Sequence, residues 1–250
     1  MKATTLPTAA PRIGQKRRST IRIRAQARQS IAARVKGSVG RRLISDGMFG
    51  TVHRFESRLE RWRPAPKGGW RELGTTEEGA GNLYGLGNHL IEALSLFGPV
   101  TNVYCEPDRR RPGVNADDDT FLALTHANGI RSHLWMSAVA AQTGPRFRIL
   151  GSDNAYVTHG IDPQEAALRA GRHPTPGQPW GTVEPDCRGH LGHQSESQPI
   201  PTLPGDWRLF YRTMAEAITS EGPVPVDPRH AVETLKILEK AQTEARSGSM

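Results

Sequence analysis

The sequence predicts an α+β fold in which a predominantly antiparallel, open sheet carries helices packed on one face. Three observations lead to this prediction: short apolar and β-branched runs follow one another, turn residues separate them, and a helical pattern is inserted early in the series. A hydrophobic fraction of 36% in 250 residues is enough for one core. We therefore expect one folded domain with irregular tails.

The net charge of +8 is concentrated at the start of the chain. Of the 33 Lys and Arg residues, 12 lie in residues 1–42, which hold no acid, and the other 21 share residues 43–250 with 25 acidic residues. The body is therefore mildly acidic. A surface that reads nucleic acid needs clustered cations on a folded face, so a nucleic-acid partner is not expected for residues 43–250.

Residues 1–42 are predicted to be a basic, disordered tail in front of an α+β domain at 43–250. An Arg- and Ser-rich start without acids is typical of a transit peptide, and a basic arm also binds nucleic acid without sequence preference. A solvated tail, or non-native coding sequence ahead of a truncated gene, is the third interpretation and the one we favour.

The two cysteines, Cys105 and Cys187, lie far apart and form no disulfide framework. A reducing compartment, the cytoplasm, is the plain inference. No apolar run approaches the 18 residues that a spanning helix needs, so a soluble protein without a membrane partner is expected.

The first strand is predicted over residues 50–59, and prolines and glycines end it at 64–69. A helix over 88–97 follows, because apolar residues recur at helical spacing until Gly98 and Pro99 stop it. Further strands are predicted at 100–106, 120–126, 130–137, 146–150 and 155–158. Asn128-Gly129 is the strongest short hairpin signal in the chain.

Residues 171–204 hold seven Pro and five Gly with little periodicity, so a long loop is predicted there. An amphipathic helix is expected around Phe210 to Ile218. A last helix begins with Asp227 as N-cap and Pro228 in its first turn.

The segment from Gly79 to His89 is the most informative feature of the chain. Its glycines, at 79, 81, 85 and 87, do not have the G-x-G-x-x-G spacing of a dinucleotide fingerprint, and no hydrophobic strand precedes them. They serve either the close approach of a ligand or the shape of a turn. His89 falls in the first helical turn, where the helix dipole favours a neutral imidazole that can exchange protons with a substrate hydroxyl. A buried structural histidine is the alternative.

Aromatic rings stand beside guanidinium groups at Arg61-Trp62-Arg63 and Trp70-Arg71. This combination suits stacking on sugar rings and binding of hydroxyls or carboxylates. We therefore predict Trp70, Arg71 and Tyr84 as substrate contacts, with edge-strand packing and solvated arginines as the alternative.

No metal site is predicted. Cys187, His190 and His193 have a spacing at which zinc is conceivable, but a single Cys in a Pro- and Gly-rich segment is more often incidental. Asp117-Asp118-Asp119 lacks the glycine and distal glutamate of a calcium loop, so a solvated turn is the simpler interpretation.

The segment from Gly79 to His89 resembles the Gfo/Idh/MocA family of NAD(P)-dependent sugar and polyol oxidoreductases, whose loop reads Gly-Gly-Gly, two or three residues, Asp-x-Gly-x-His. The resemblance extends over about Arg42 to Ala241 and includes Trp62-Arg63-Pro64, Arg146 to Ser152 and the last helix. It implies the family's α+β C-terminal domain, which supplies part of the substrate site and usually the oligomer interface. Its character is nearest to inositol-type dehydrogenases.

The chain departs from the family pattern in three ways. A Rossmann domain and the Glu-Lys-Pro motif with the catalytic lysine have no counterpart in these 250 residues, and Gly85 stands where the family has its aspartate. Of the family's catalytic set only His89 carries over. NAD or NADP is implied by the resemblance, but we expect that this chain alone does not bind it.

The leading hypothesis is therefore a truncated or split oxidoreductase whose chain keeps the substrate and oligomerisation domain. The expected partners are a sugar or polyol substrate, a second copy of the chain bound through the sheet, and possibly a separate Rossmann-domain protein. The alternative hypothesis is a catalytically inactive assembly or binding module that uses the open sheet face to dimerise.

Overall fold

The computed structural model describes residues 39–87, 89–175, 177–194, 196–202, 204–205, 207–220, 222, 224–225 and 227–247, with the backbone alone at 89, 91, 186 and 247. Eight strands form one sheet: β1 (Val52–Glu60), β2 (Val100–Asp108), β3 (Asp119–His126), β4 (Arg131–Ser137), β5 (Phe147–Gly151), β6 (Ala155–Thr158), β7 (Gly189–His193) and β8 (Glu196–Ile200).

The strand order is β2-β3-β4-β1-β5-β6-β7-β8. Every neighbouring pair is antiparallel except β1 and β4, which run parallel with Glu60 opposite Ser137. The predicted antiparallel-rich sheet is thus confirmed, and the parallel pair is an addition. Because β1 and β4 run in the same direction, their carboxyl ends meet at one edge of the sheet.

The helices are α1 (39–45), α2 (Trp70–Leu73), α3 (Gly81–Leu86), α4 (His89–Phe97), α5 (Pro163–Arg169), α6 (Trp207–Thr219) and α7 (Pro228–Ser247). A 3-10 turn occupies Pro185–Cys187. The core lies between one sheet face and α1, α3, α4 and α7, and includes Phe55, Leu122 and Leu134 from the strands and Leu90 and Leu238 from the helices.

The sheet has two faces of different character, because side chains alternate along each strand. On β1, Phe55 and Leu59 are buried toward the helices, whereas Arg54 and Arg58 on the other face are half-buried. The face away from the helices is therefore open, as the predicted fold class requires.

The predicted boundary of the basic tail is wrong by at least four residues. Val39, within the predicted tail, is 1% exposed and packs in the core together with Leu43. Gly40 fits there because a Cβ would lie 2.7 Å from Ile149 Cδ1. The rest of the predicted tail, residues 1–38, lies outside the described residues.

The loop prediction for 171–204 is wrong over 189–200, where β7 and β8 extend the sheet. Gly189 packs against the Tyr156 ring, since a Cβ there would lie 2.3 Å from the hydroxyl oxygen. Pro199, which lacks an N–H, is tolerated in β8 because that strand forms the sheet edge. The Pro- and Gly-rich composition therefore did not predict β7 and β8, which form by pairing with each other and with β6.

The hairpin and helix signals are confirmed. Gly129 has a positive φ of 84° in the β3–β4 turn, and its N–H donates to the His126 carbonyl at 2.9 Å. Asp227 Oδ1 accepts from the Arg229 N–H at 2.9 Å at the start of α7.

None of the helices in the described part of the chain combines the length and the apolar character needed to cross a membrane.

Candidate active site

The glycine-rich segment forms the short helix α3, from Gly81 to the C-cap Gly87, rather than an open loop. Gly81 has φ of +89°, and a Cβ at this position would lie 1.9 Å from Asp117 Oδ1. The other oxygen, Asp117 Oδ2, accepts from the Leu83 N–H at 2.7 Å. Gly81 is therefore required because a carboxylate of this chain approaches the backbone to hold the first turn of α3.

Asp117 and Asp118 are 7% and 2% exposed, so the solvated-turn interpretation is wrong for these two residues. Burial raises the pKa of Asp117, although hydrogen bonds from the Thr120 hydroxyl and the Leu83 N–H oppose that rise. The two carboxylates tolerate burial because hydrogen-bond donors surround them: Leu83 and Thr120 at Asp117, and Arg110 and Arg111 at Asp118.

Arg111 links three segments beneath the cleft. Its Nε lies 2.8 Å from Asp118 Oδ2, its Nη1 lies 2.9 Å from Glu72 Oε1, and Nη1 also donates to the Arg63 carbonyl at 3.2 Å. The Arg111 and Asp118 side chains are both buried. Removing one partner of such a pair destabilises the fold, because the remaining charge is then buried without a counter-charge.

Glu72 fixes the loop that leads into α2. Its Oε2 accepts from the Lys67 N–H at 2.6 Å and from the Gly68 N–H at 2.9 Å. Burial alone would raise the pKa of Glu72, but the Lys67 N–H, the Arg111 guanidinium and the Gly68 N–H lower it below its usual value. The carboxylate is held ionised and positions Trp70 and Arg71 on the adjoining turn.

A cleft of about 650 Å³ opens at the sheet edge where β1 and β4 end. Trp70, Arg71 and Tyr84, the three predicted substrate contacts, all line it. The Arg71 guanidinium carbon lies 4.9 Å from the centre of the Trp70 ring, and Trp70 is 43% exposed. The structure thus brings together residues that are 14 positions apart in the sequence.

Tyr84 uses its hydroxyl within the protein. The hydroxyl donates to Gln242 Oε1 at 2.8 Å, which ties α3 to α7. Burial, followed by the charge of Glu239, raises the pKa of Tyr84. The ring is therefore a wall of the cleft, and α7 completes that wall with Leu235.

His89 is the first residue of α4, directly after the turn that follows α3. The Leu90 N–H donates to the Gly87 carbonyl at 3.0 Å and closes that turn. The side chain of His89 lies outside the described atoms, so its role in proton exchange stays a prediction. Gly85 lines the cleft, and among the described atoms outside its own helix none lies within 4 Å of a Cβ built on it.

The described residues do not fit a dinucleotide such as NAD(P). That ligand needs a strand, a glycine turn and a helix N-terminus in succession, with room for phosphates against the turn. Here the glycine segment follows α2, and the space beside Gly81 is taken by Asp117 Oδ1.

The zinc alternative has no geometric counterpart in the described part of the chain, where no three His, Cys, Asp or Glu side chains are grouped to hold a metal ion. His159, His190 and His193 line a separate depression of about 470 Å³. Cys187 is free and exposed.

The sequence did not reveal two residues that shape the site, Arg111 and Asn82. Asn82 Nδ2 donates to the carbonyls of Asp118 at 2.7 Å and Met136 at 3.0 Å, which joins α3 to the ends of β3 and β4. For Arg111, the basic run 109–111 followed by the acidic run 117–119 was the available signal. Such runs are usually solvated, and only the fold shows that these charges pair.

Comparison with known proteins agrees with this architecture. Residues 40–157 match the model of the GFO/IDH/MocA C-terminal domain. These residues belong to the Gfo/Idh/MocA family. A relative in Bacillus subtilis, the scyllo-inositol 2-dehydrogenase (NADP(+)) IolW, is 31% identical over 211 residues, which are 82% of this chain and 58% of the relative. The uncharacterized oxidoreductase YdgJ of Escherichia coli is 31% identical over 203 residues, or 79% of this chain and 57% of that protein.

Solved structures show the same Gfo/Idh/MocA C-terminal fold. A Bacillus subtilis protein assigned as an oxidoreductase, YvaA, superposes with a TM-score of 0.76 at 26% identity, covering 88% of this chain and 64% of that one. A Yersinia pestis protein with the same assignment gives a TM-score of 0.76 at 29% identity, covering 87% of this chain and 62% of that one. This chain thus spans about 60% of the length of its Gfo/Idh/MocA relatives.

Proposed function

We propose that this chain supplies the substrate and oligomerisation domain of an NAD(P)-dependent oxidoreductase that acts on a sugar or polyol of the inositol type. We further propose that it is a truncated or split form, whose cofactor domain lies outside these 250 residues. The observation that supports the proposal is the cleft of about 650 Å³, in which Trp70, Arg71 and Tyr84 come together. A family relative that is 31% identical is a scyllo-inositol dehydrogenase.

In this proposal, Trp70 offers an apolar ring face to a sugar or cyclitol ring, and Arg71 donates hydrogen bonds to its oxygens. His89, at the start of α4, takes the proton that leaves the substrate hydroxyl when an alcohol becomes a carbonyl. Bound NAD(P) would accept the hydride, and the domain that holds it is the proposed partner.

Binding measurements on the purified chain test the proposal. Calorimetric titration is expected to show binding of scyllo-inositol and no tight binding of NADPH. Replacing Trp70 with Ala should weaken inositol binding about fivefold or more, since an aromatic contact contributes about 1 kcal/mol.

Trp62→Ala is the matched control, because Trp62 is 57% exposed and does not line the cleft. Equal losses in the two variants would contradict a substrate role for Trp70. Tight NADPH binding by the chain alone would contradict the split arrangement.

The open sheet face favours a second candidate, an assembly module that has lost catalysis. Tyr104, Phe121, His133 and Trp135 form a row of ring contacts on this face, with the Phe121 and Trp135 centroids 5.1 Å apart. Arg58 stacks on the Trp135 ring at 3.8 Å. Aromatic residues and arginine are enriched where protein surfaces meet, so this face suits a second copy of the chain.

A further inference from the structure

The cleft carries more positive than negative side chains. Five basic residues line it, against three carboxylates: Arg61, Arg63, Lys67, Arg71 and Arg111, and Glu72, Asp117 and Asp118. The kind of ligand that the cleft binds depends on which of these charges are already paired or hydrogen-bonded within the protein.

The three carboxylates are all committed to internal contacts. Asp117 accepts from the Leu83 N–H and the Thr120 hydroxyl. Asp118 and Glu72 both face Arg111, and Glu72 also accepts the N–H groups of Lys67 and Gly68. These carboxylates therefore neutralise the guanidinium of Arg111 but not the other cations of the cleft.

The cations nearer the opening are not neutralised in this way. Within the part of the chain that the structure describes, no carboxylate oxygen lies within 4.0 Å of the side-chain nitrogens of Arg63, Lys67 or Arg71. Arg61 has one long pair, 3.9 Å to Glu165. Arg61 and Arg63 line the same cleft, and burial, then the repulsion by the Arg63 charge, lower the pKa of Arg61. An anion between them would relieve this repulsion.

The same cleft is lined by a partly exposed indole ring. The exposed Trp70 ring adjoins the Arg71 guanidinium, and Gly85 contributes no side chain to the wall. A sugar ring against the indole would place an acidic substituent within reach of the guanidinium, which binds carboxylate or phosphate in two-pronged geometry.

We propose that the cleft takes an anionic sugar or polyol, bearing a carboxylate or a phosphate monoester, whose charged group is bound by Arg63, Lys67 and Arg71. The inference rests on the proposed function and narrows its substrate class. It also predicts that neutral cyclitols bind more weakly than their acidic counterparts.

The test is calorimetric titration of the purified chain at low ionic strength with gluconate, glucose 6-phosphate, neutral scyllo-inositol and NADP+. Gluconate or glucose 6-phosphate should bind at least about tenfold more tightly than inositol, because charge-assisted hydrogen bonds are roughly twice as strong as neutral ones. The advantage should shrink as salt is added.

Lys67→Gln and Arg63→Gln should each reduce the affinity for the acidic ligand about fivefold or more and leave inositol binding within about twofold. Arg131→Gln is the matched control. This substitution also removes one positive charge, and Arg131 is exposed on the open face of the sheet. Thermal unfolding of each variant establishes that the fold is retained, and Lys67, whose side chain is exposed, is the variant least able to disturb it.

Each outcome decides between defined alternatives. If inositol binds as tightly as the acids, or Arg131→Gln weakens binding as much as Lys67→Gln, the anion inference is overturned while the polyol function stands. If NADP+ alone binds and loses affinity in Lys67→Gln, the cations serve a cofactor phosphate and the substrate inference is overturned. If no polyol of either kind binds, the proposed function fails and the inference fails with it.

Discussion

Gly85 is a position in the cleft wall where the described residues leave room for a small side chain. Outside its own helix, no described atom lies within 4 Å of a Cβ built there, and the residue lies inside α3. Gly87, two residues later, differs because a Cβ would lie 2.6 Å from the Leu83 carbonyl oxygen and 2.7 Å from Leu238 Cδ1. The two glycines therefore have opposite tolerance for substitution.

Gly85→Ala is expected to raise the free energy of unfolding by about 0.5–1 kcal/mol, because alanine loses less backbone entropy in a helix. Gly87→Ala should lower it by about 1–3 kcal/mol, since the added methyl group is overpacked. Urea denaturation of the two variants measures both effects. Similar changes of either sign at the two positions would show that the packing around α3 has been misjudged.

Glu92 is a buried acid in α4, and we expect it to make the stability of the protein depend on pH. Among the described residues, its Oε2 is a buried side-chain atom with no hydrogen-bond partner. Burial raises the pKa of Glu92 to about 8, against the opposing charge of Arg146. Burial lowers the pKa of Arg146 to about 10, and Glu92 opposes that fall.

The sign of the effect follows from the raised pKa. Between about pH 4.5 and pH 8 the folded state keeps the Glu92 proton while the unfolded chain releases it, so stability falls as pH rises. The slope from this group is at most about 1.4 kcal/mol per pH unit. Glu92→Gln should flatten the dependence over this range in chemical denaturation, whereas the exposed control Glu244→Gln should leave it in place. An unchanged slope in Glu92→Gln would show that Glu92 is ionised in the fold.

At the scale of single elements, α3 depends on one carboxylate from a distant segment. Asp117→Ala would leave the Leu83 N–H and the Thr120 hydroxyl without their acceptor. We expect a loss of about 1–3 kcal/mol in unfolding free energy and faster hydrogen exchange at the amides of Asn82 and Leu83.

Asp119→Ala is the control for that experiment. Asp119 Oδ2 lies 3.4 Å from Nε of the exposed Arg110. A surface ion pair of this kind contributes at most about 1 kcal/mol to the free energy of unfolding. Unaltered exchange at α3 in Asp117→Ala would show that this carboxylate is not what holds the helix in place.

Elements with a strong local signal were predictable from the sequence. The α4 pattern, the Asn128-Gly129 hairpin and the Asp227 cap all agree with the structure. The short helices α2 and α3 were not predicted, because glycines obscure α3 and its stability comes from Asp117. The parallel pairing of β1 with β4 joins strands about 80 residues apart and leaves no local trace.

The residues of the candidate site could be predicted only where local residue types indicate a ligand. Trp70, Arg71 and Tyr84 combine residue types that suit a sugar ligand, and all three line the cleft. Arg111 and Asp118 form a buried pair whose burial depends on Glu72 and the carbonyl of Arg63, which no local pattern specifies. Whether His89 acts on a substrate stays a prediction.

At the scale of the whole molecule, the two sheet faces predict how copies would meet. The helices cover one face, and the aromatic row around Phe121 lies on the other. Phe121→Lys should convert an oligomer to a monomer in light scattering at micromolar concentration, because it buries an unpaired charge in the contact.

Leu209→Lys, on the exposed surface of α6, is the control and should not change the molar mass. A monomeric parent protein, or an oligomer that persists in Phe121→Lys, would exclude assembly through this face.

The place of Gly85 in the cleft wall also provides an attachment point for a fluorescent reporter. Of the native thiols, Cys105 is unreactive, since burial raises its pKa to about 12, and exposed Cys187 can be replaced by serine. A Gly85→Cys variant on that background would then carry a single dye at the cleft wall, so that ligand entry becomes visible as a change in emission without any catalytic turnover.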